Sequence, residues 1–350
     1  MKRSSNAVRV RDDYQMYEDY YGFAEKPFSL TPDPKYLYKS ESHGNAFELL
    51  KYAIRRREGF IVVTGEIGTG KTTLCRAVLD QLDRRTFTAL LLNPFVSEED
   101  LLRLILQDFG VVSREEVRRG RLAGITKQEL INTLNDFLLS LQPLGATALL
   151  IIDEAQNLPL QVLEQIRLLS NLETDTEKLL QIVLVGQNNL QDTLKSPALR
   201  QLDQRVSIRY QLRPLTAEET WAYVAHRLTI AGGGSALRFT EKAAHRVHAI
   251  TGGIPRLINL LCDRTLLAAF ALRADRIERQ AVDEAARTLD MEIPRAFAAP
   301  EWAQRHAAAI GAAVAAFVLT AAAFMYGAGY LSRAGSPPPV SAPQAYRAQP

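Results

Sequence analysis

Phe60-Ile-Val-Val-Thr-Gly65-Glu-Ile-Gly-Thr-Gly-Lys71-Thr-Thr73 is the stretch whose reading decides the fold. Phe60–Val63 is an apolar run that reads as a buried strand, and Lys71 opens a helical pattern that runs to Asp83. Between them Gly65 to Thr72 matches the P-loop pattern at every position. The glycines let the turn present successive backbone N–H groups to phosphate oxygens, and the following helix adds its positive N-terminal end. Gly65, Glu66, Ile67, Gly68, Thr69, Gly70, Lys71, Thr72 and Thr73 are therefore the expected nucleotide-binding residues. Lys71 is expected to reach the β/γ-phosphates and Thr72 to coordinate magnesium, with ATP and Mg2+ as the cofactors.

Working outward, Leu149-Leu-Ile-Ile-Asp153-Glu154 supplies a third strand, followed at its C-terminal edge by two carboxylates. The C-terminal edge of an open α/β sheet is where ligands assemble. Asp153 is expected to hold the hydrated magnesium and Glu154 to orient or deprotonate the attacking water. Gln187 follows a fourth strand, and its amide is a candidate phosphate sensor, with Asn188 as its neighbouring competitor. Arg205 and Arg200 precede a fifth strand, and either is placed to reach the phosphates of a neighbouring subunit. Gly252-Gly253-Ile254-Pro255-Arg256 starts a helix whose first turn projects Arg256, a candidate for coupling phosphate occupancy to lid movement.

Strands at Phe60–Val63, Thr86–Leu92, Ala148–Ile152, Leu179–Val185 and Val206–Gln211 alternate with helices at 45–57, 71–83, 98–109, 126–140 and 160–171. That alternation predicts a mostly parallel sheet covered on both faces. After Pro214 the pattern changes to helices near 217–230, 240–250, 255–271 and 278–290, with no clear strand. Cys75 and Cys262 fall in helices, read as core thiols, and cannot build a disulfide framework. His43 is placed near the nucleotide pocket without a role that spacing alone assigns.

The chain has 350 residues and 47% hydrophobic side chains, which excludes a mostly disordered polypeptide. Residues 1–304 carry 39 basic and 39 acidic side chains, so the net charge of +3 comes from Arg305, Arg333 and Arg347. Nucleic acid is accordingly not expected as a partner. Residues 307–331 contain no charge and, as a helix, would extend about 37 Å against a hydrocarbon core of about 30 Å. They predict a single transmembrane helix. The expected organisation is a leader and docking segment (1–44), an α/β nucleotide-binding domain (45–213), a helical lid (214–290), a juxtamembrane linker (291–306), the span (307–331) and a Pro-rich tail (332–350). The opening MKRSSNAVRVRDD lacks an apolar core, so it is not a secretory signal.

Tyr20-Tyr-Gly-Phe, Lys26-Pro-Phe-Ser-Leu-Thr-Pro-Asp-Pro and Tyr36-Leu-Tyr precede the P-loop. Ile152-Asp-Glu-Ala-Gln-Asn-Leu, Val185-Gly-Gln, Leu199-Arg-Gln-Leu-Asp-Gln-Arg and Thr251-Gly-Gly-Ile-Pro-Arg-Leu-Ile-Asn follow it. The combination resembles an AAA+ ATPase of the ExeA/GspA-like group, found with general secretion, pilus or exosortase-associated systems, over Met16 to Leu289. The resemblance implies a P-loop AAA+ parallel sheet core with a C-terminal helical lid, here followed by the transmembrane helix. It also implies homo-oligomerisation, Arg205 or Arg200 acting in trans, Arg256 as the lid arginine and Gln187 as the sensor. Several secretion members of the group it resembles continue after their membrane helix into a peptidoglycan-binding domain, whereas 19 residues follow Leu331, so that domain is expected to be absent.

The function expected from these features is a membrane-anchored ATPase. It would couple Mg-dependent ATP binding and hydrolysis to assembly or regulation of a bacterial envelope secretion, pilus or polysaccharide-export complex. Its place would be the bacterial inner membrane, single-pass, with the ATPase domain cytoplasmic and the tail periplasmic. The competing readings are a DNA-associated ATPase resembling a transposition target regulator, and a nucleotide-responsive scaffold with negligible turnover.

Overall fold

A computed structural model describes residues 17–292 apart from 93–94, 114, 117–118, 120–123, 175–176 and 233–236. In it the apolar runs become β1 (Phe60–Gly65), β2 (Thr86–Leu91), β3 (Thr147–Ile152), β4 (Leu180–Gly186) and β5 (Ile208–Leu212). They form one parallel sheet in the order β2-β3-β4-β1-β5. β1 and β4 are buried at every position, whereas the edge strands β2 and β5 alternate in exposure. That contrast is why the central strands read as continuous apolar runs.

Helices α1 (Tyr17–Tyr21) and α2 (Glu41–Arg55) precede β1, and α3 (Lys71–Leu79) leaves the glycine-rich turn. Between β2 and β3 lie α4 (Glu98–Asp108) and α5 (Lys127–Leu141); α6 (Leu160–Leu169) joins β3 to β4. The short α7 (Asn189–Leu194) and α8 (Arg200–Asp203) join β4 to β5. Side chains alternate across the sheet. Phe60, Leu150, Ile152, Ile182 and Leu184 pack under α4, α5 and α6, while Ile61, Val63, Leu149, Val183 and Val185 pack under α2 and α3. β4 lies between β1 and β3, with Thr64 opposite Gly186 and Ile152 opposite Leu184. The residues after these three strands, Glu66, Asp153 and Gln187, thus emerge along one edge of the sheet.

The lid consists of α9 (Ala217–Ile230), α10 (Glu241–Thr251), α11 (Pro255–Ala271) and α12 (Arg279–Thr288). Thr216 and Glu219 close a reciprocal capping box on α9, Thr240 caps α10, and Pro255 starts α11. A two-residue parallel pair, β6 (Arg238–Phe239) with β7 (Arg276–Ile277), sits inside this block, where no strand was expected. Two residues are too few to leave an alternating pattern, and α7 and α8 were invisible for the same reason. The first long helix starts at Glu41, four residues before the expected Asn45, because Ser40 accepts the His43 N–H as its N-cap.

The aromatic N-terminal segment is folded onto the lid. Tyr17, Tyr21, Phe23 and Phe28 are buried with Leu215, Val224, Ile258 and Leu261. Tyr17 donates its hydroxyl to Asp263 Oδ1 at 2.5 Å, and Tyr21 donates to the Ala274 carbonyl at 2.7 Å. Burying each of these rings contributes about 1.5–3 kcal/mol, which fixes a segment with little regular structure of its own.

The expectation of a transmembrane helix is corrected. No helix among the described residues is long and apolar enough to cross a membrane. The longest of them, α11, has 17 residues and carries Arg256, Asp263 and Arg264, against about 20 predominantly apolar residues for a span. Residues 307–331, which carried the expectation, lie outside the described residues. The fold is a parallel sheet core with a helical lid, and the membrane anchoring, the inner-membrane association and the single-pass placement are withdrawn with the helix.

Candidate nucleotide site

The phosphate loop is held from three sides. Lys71 is buried, and its ammonium donates to the Gly65 carbonyl at 3.0 Å and the Glu66 carbonyl at 2.8 Å. Burial pushes its pKa below the usual lysine range. His43, also buried, donates through Nε2 to the Thr69 carbonyl at 2.8 Å; a carbonyl can only accept, so Nδ1 accepts the Ser40 hydroxyl at 2.7 Å. From the lid, the Arg256 backbone N–H donates to the Gly68 carbonyl at 3.1 Å. Gly68 has φ +82°, and a Cβ there would stand 2.6 Å from Arg256 Cβ. Only glycine permits this approach of lid to loop.

The acidic edge stands against the loop. Thr72 donates its hydroxyl to Asp153 Oδ2, and Asp153 Oδ1 accepts the Glu154 N–H at 2.9 Å. Asp153 is 2% exposed, and burial raises its carboxyl above the ordinary aspartate range. Glu154 occupies the left-handed region at φ +54°, ψ +36°, a conformation that costs an L residue about 1–2 kcal/mol. Its carboxylate accepts Gln156 Nε2 at 2.6 Å, and Gln156 Oε1 accepts the Gln187 N–H at 3.0 Å.

Facing the loop, Leu30, Tyr38, Tyr223 and Asn259 line a pocket shared with Gly68–Thr73, Glu154 and Arg256. Arg227, 5% exposed, holds this wall together. Its Nε donates to the Pro27 carbonyl at 2.6 Å, Nη2 to the Ser29 carbonyl at 3.2 Å and Nη1 to the Tyr223 hydroxyl at 3.0 Å. Its guanidinium lies 4.2 Å from the Tyr36 ring centroid. Tyr223 in turn donates to Asn259 Oδ1 at 2.9 Å, and Arg76 of α3 donates to the Pro32 carbonyl at 2.9 Å. One pocket therefore has an aromatic and apolar end beside backbone N–H groups and a lysine, which suits a base joined to phosphates.

Of the residues expected from sequence, Ile67 to Thr73, Glu154 and Arg256 line this pocket, and Asp153 touches Thr72. Gln187 lies at the end of β4 and joins the site through its backbone bond to Gln156. Glu66 is exposed and does not line the pocket. Arg205 lies away from the pocket, donating Nη1 to Ser170 Oγ at 2.8 Å, and Arg200 is exposed at the start of α8. Cys75 and Cys262 are buried, and burial pushes both thiols up. Sequence reasoning missed Gln156, Tyr223, Arg227 and Asn259. Two carried a usable signal: Gln156 follows the acidic pair within the same turn, and Asn259 lies on the turn of α11 after Arg256.

The residues fit a magnesium ion. Thr72 Oγ1 and Asp153 Oδ2 are hard oxygen donors already in contact, and a dication would offset the burial of the Asp153 charge. Among the described residues no group of three or more His, Cys, Asp or Glu could hold a metal, and Mg2+ sites rely on one or two protein oxygens, substrate phosphates and water.

The AAA domain family matches residues 54–194, from the end of α2 through α7. General secretion pathway protein A of Aeromonas hydrophila is 47% identical over 262 residues, covering 75% of this chain and 46% of that protein. This chain carries a P-loop AAA+ ATPase domain. The domain is homologous to General secretion pathway protein A and to other AAA+ ATPases, and its activity is that of a P-loop ATPase. The match spans about half the length of that relative. Among solved structures, ORC2 of Aeropyrum pernix superposes on the AAA+ domain with a TM-score of 0.59 at 14% identity, covering 75% of this chain and 71% of that one. CDC6P of Pyrobaculum aerophilum gives 0.57 at 17% identity, covering 75% and 70%. At those identities the likeness is one of fold alone.

Proposed function

We propose that the AAA+ domain binds ATP with Mg2+ between the phosphate loop and the Ser29–Tyr38 wall, and hydrolyses it. The observation that supports this reading is the Thr72–Asp153 contact, two hard oxygen donors together beside the loop, with Glu154 lining the same pocket. Lys71 exchanges its two carbonyl partners for phosphate oxygens. Thr72 and Asp153 hold the cation, which when bound neutralises charge on the phosphates. Glu154 orients the attacking water and takes up its proton. Gln187 senses the γ-phosphate from the end of β4, and Arg256 reports phosphate occupancy to the lid through the helix it starts. Arg205 or Arg200 completes the site of a neighbouring copy in a homo-oligomer, since neither lines the pocket of its own chain.

The expected tests are direct. Lys71→Ala abolishes ATP binding and turnover, whereas Glu154→Gln retains bound ATP and lowers turnover by about 100-fold or more. Wild-type turnover in both variants would overturn the mechanism. From its 47% identity to General secretion pathway protein A, we propose that the ATPase serves a general secretion pathway. Cells lacking the protein should fail to export their secreted proteins, with rescue by the wild type and not by Glu154→Gln. Normal export in those cells would refute the assignment.

A further inference from the structure

The turn after β3 holds one side-chain amide between the ends of the neighbouring strands β3 and β4, β4 being the strand next to the one that leads into the phosphate loop. Gln156 Nε2 donates to the Glu154 carboxylate at 2.6 Å, while Oε1 accepts the Gln187 N–H at 3.0 Å. The seat leaves little freedom. A Cβ on Gly186 would come within 2.8 Å of Gln156 Oε1, so the end of β4 accommodates the amide only because Gly186 has none. Ala155 is fully buried at the head of the same turn, and Asn157 N–H donates to the Glu154 carbonyl at 3.0 Å. Glu154 itself stands at positive φ, so its carboxylate direction depends on a backbone state that the surroundings must enforce.

The two bonds ask for opposite chemistries from one side chain. The carboxylate needs a donor, and the backbone N–H of Gln187 needs an acceptor about one amide width away. A glutamine supplies both at once; a glutamate of the same length supplies only acceptors. We propose that Gln156 is the positioning residue for hydrolysis: it fixes the Glu154 carboxylate and ties it to the end of β4, so that a displacement at Gln187 is passed to Glu154. The inference rests on the reading of Glu154 as the group that orients the attacking water. It adds a mechanical link between the phosphate-sensing strand and that group, carried by a residue that does not line the nucleotide pocket.

The separating variant is Gln156→Glu, which keeps an acceptor for the Gln187 N–H and loses the donor to Glu154. Turnover by the full chain is expected to fall about 10-fold or more while KM for ATP stays within about twofold, because the loss falls on an interaction used in the chemical step. In a Glu154→Gln background, Gln156→Glu should change the residual turnover by less than about twofold, since a residue acting through Glu154 has nothing further to act on. Gln156→Met, uncharged and of similar length, carries the same pair of measurements without adding an anion. Wild-type turnover in Gln156→Glu or Gln156→Met alongside an inactive Glu154→Gln would overturn the inference alone. So would losses that multiply fully in the double variants. Wild-type turnover in Glu154→Gln would instead overturn the reading of Glu154 itself.

Discussion

The junction between sheet and lid can be tested with two adjacent glycines that differ in one respect. Gly252 and Gly253 have φ +60° and +75°, so alanine at either pays about 1–2 kcal/mol for the left-handed backbone. Around Gly252 an added Cβ meets nothing within 4 Å. At Gly253 it would lie 2.0 Å from the Leu215 carbonyl oxygen and 2.9 Å from its carbon, both backbone atoms that no rotamer change can move aside. The chain must shift, which overpacks the junction by about 1–3 kcal/mol and breaks the Leu215 N–H to Gly253 carbonyl bond of 2.9 Å, worth about 0.5–1.5 kcal/mol. Gly253→Ala is thus expected to cost about 2.5–6.5 kcal/mol against about 1–2 for Gly252→Ala. Urea unfolding at unchanged m-value reads the difference, and ATP affinity should fall in step because Arg256, three residues on, is bonded to the loop at Gly68. Equal stabilities for the two variants would refute the claim that the Leu215–Gly253 contact fixes the start of the lid against the turn between α10 and α11.

Three further outcomes are expected. If Arg205 acts on a neighbour's phosphates, Arg205→Ala and Lys71→Ala should each be inactive alone and regain turnover when mixed; no gain on mixing refutes the trans assignment. Arg227→Met leaves the buried carbonyl of Pro27 and the half-buried carbonyl of Ser29 without their donor. It should destabilise the protein by about 2–4 kcal/mol in urea and raise KM for ATP, and unchanged stability would show that the N-terminal wall does not depend on it. Burial holds the His43 pKa below that of an exposed imidazole, so the unfolded chain takes up this proton first and stability is lost as pH falls below about 6.5. His226 and His248 are shifted the same way. The measure is therefore the difference from His43→Gln, whose stability should fall less steeply between pH 7 and 5; identical slopes would refute it.

Much of the fold is legible in local sequence because its signals are local. The Thr216–Glu219 capping box and Pro255 mark helix starts within a turn, and the helices expected at 217–230 and 255–271 end where the structure ends them. The all-buried strands β1 and β4 declare themselves as apolar runs. The phosphate loop and the acidic pair after β3 are brought together at one edge of the sheet by strand order, which sequence implies only through the alternation of strands and helices. What was not legible joins distant residues. Gln156 meets Gln187 across 31 positions, and Arg227 meets Ser29 across 198, and no period or cap in the chain announces either contact. The transmembrane expectation failed for a different reason. It rested on the apolar composition of 307–331, outside the described residues, and no described helix has the length and apolarity it required.

The wall formed by Ser29–Tyr38 also sets an order of events in time. The aromatic segment that leads into it is anchored near the far end of the domain: Tyr17 waits for Asp263, 246 residues downstream. At synthesis rates of about 5–20 residues per second, that partner leaves the ribosome about 10–50 seconds after Tyr17 does. The five strands are made before the lid helices, so the phosphate loop can be in place while one side of its pocket is still open. A nascent chain halted before α11 would carry an intact loop sequence and no seat for the first aromatic residues. Trimming the N-terminus of the finished protein would recreate that state, impairing the pocket without touching a single residue between Gly65 and Thr73.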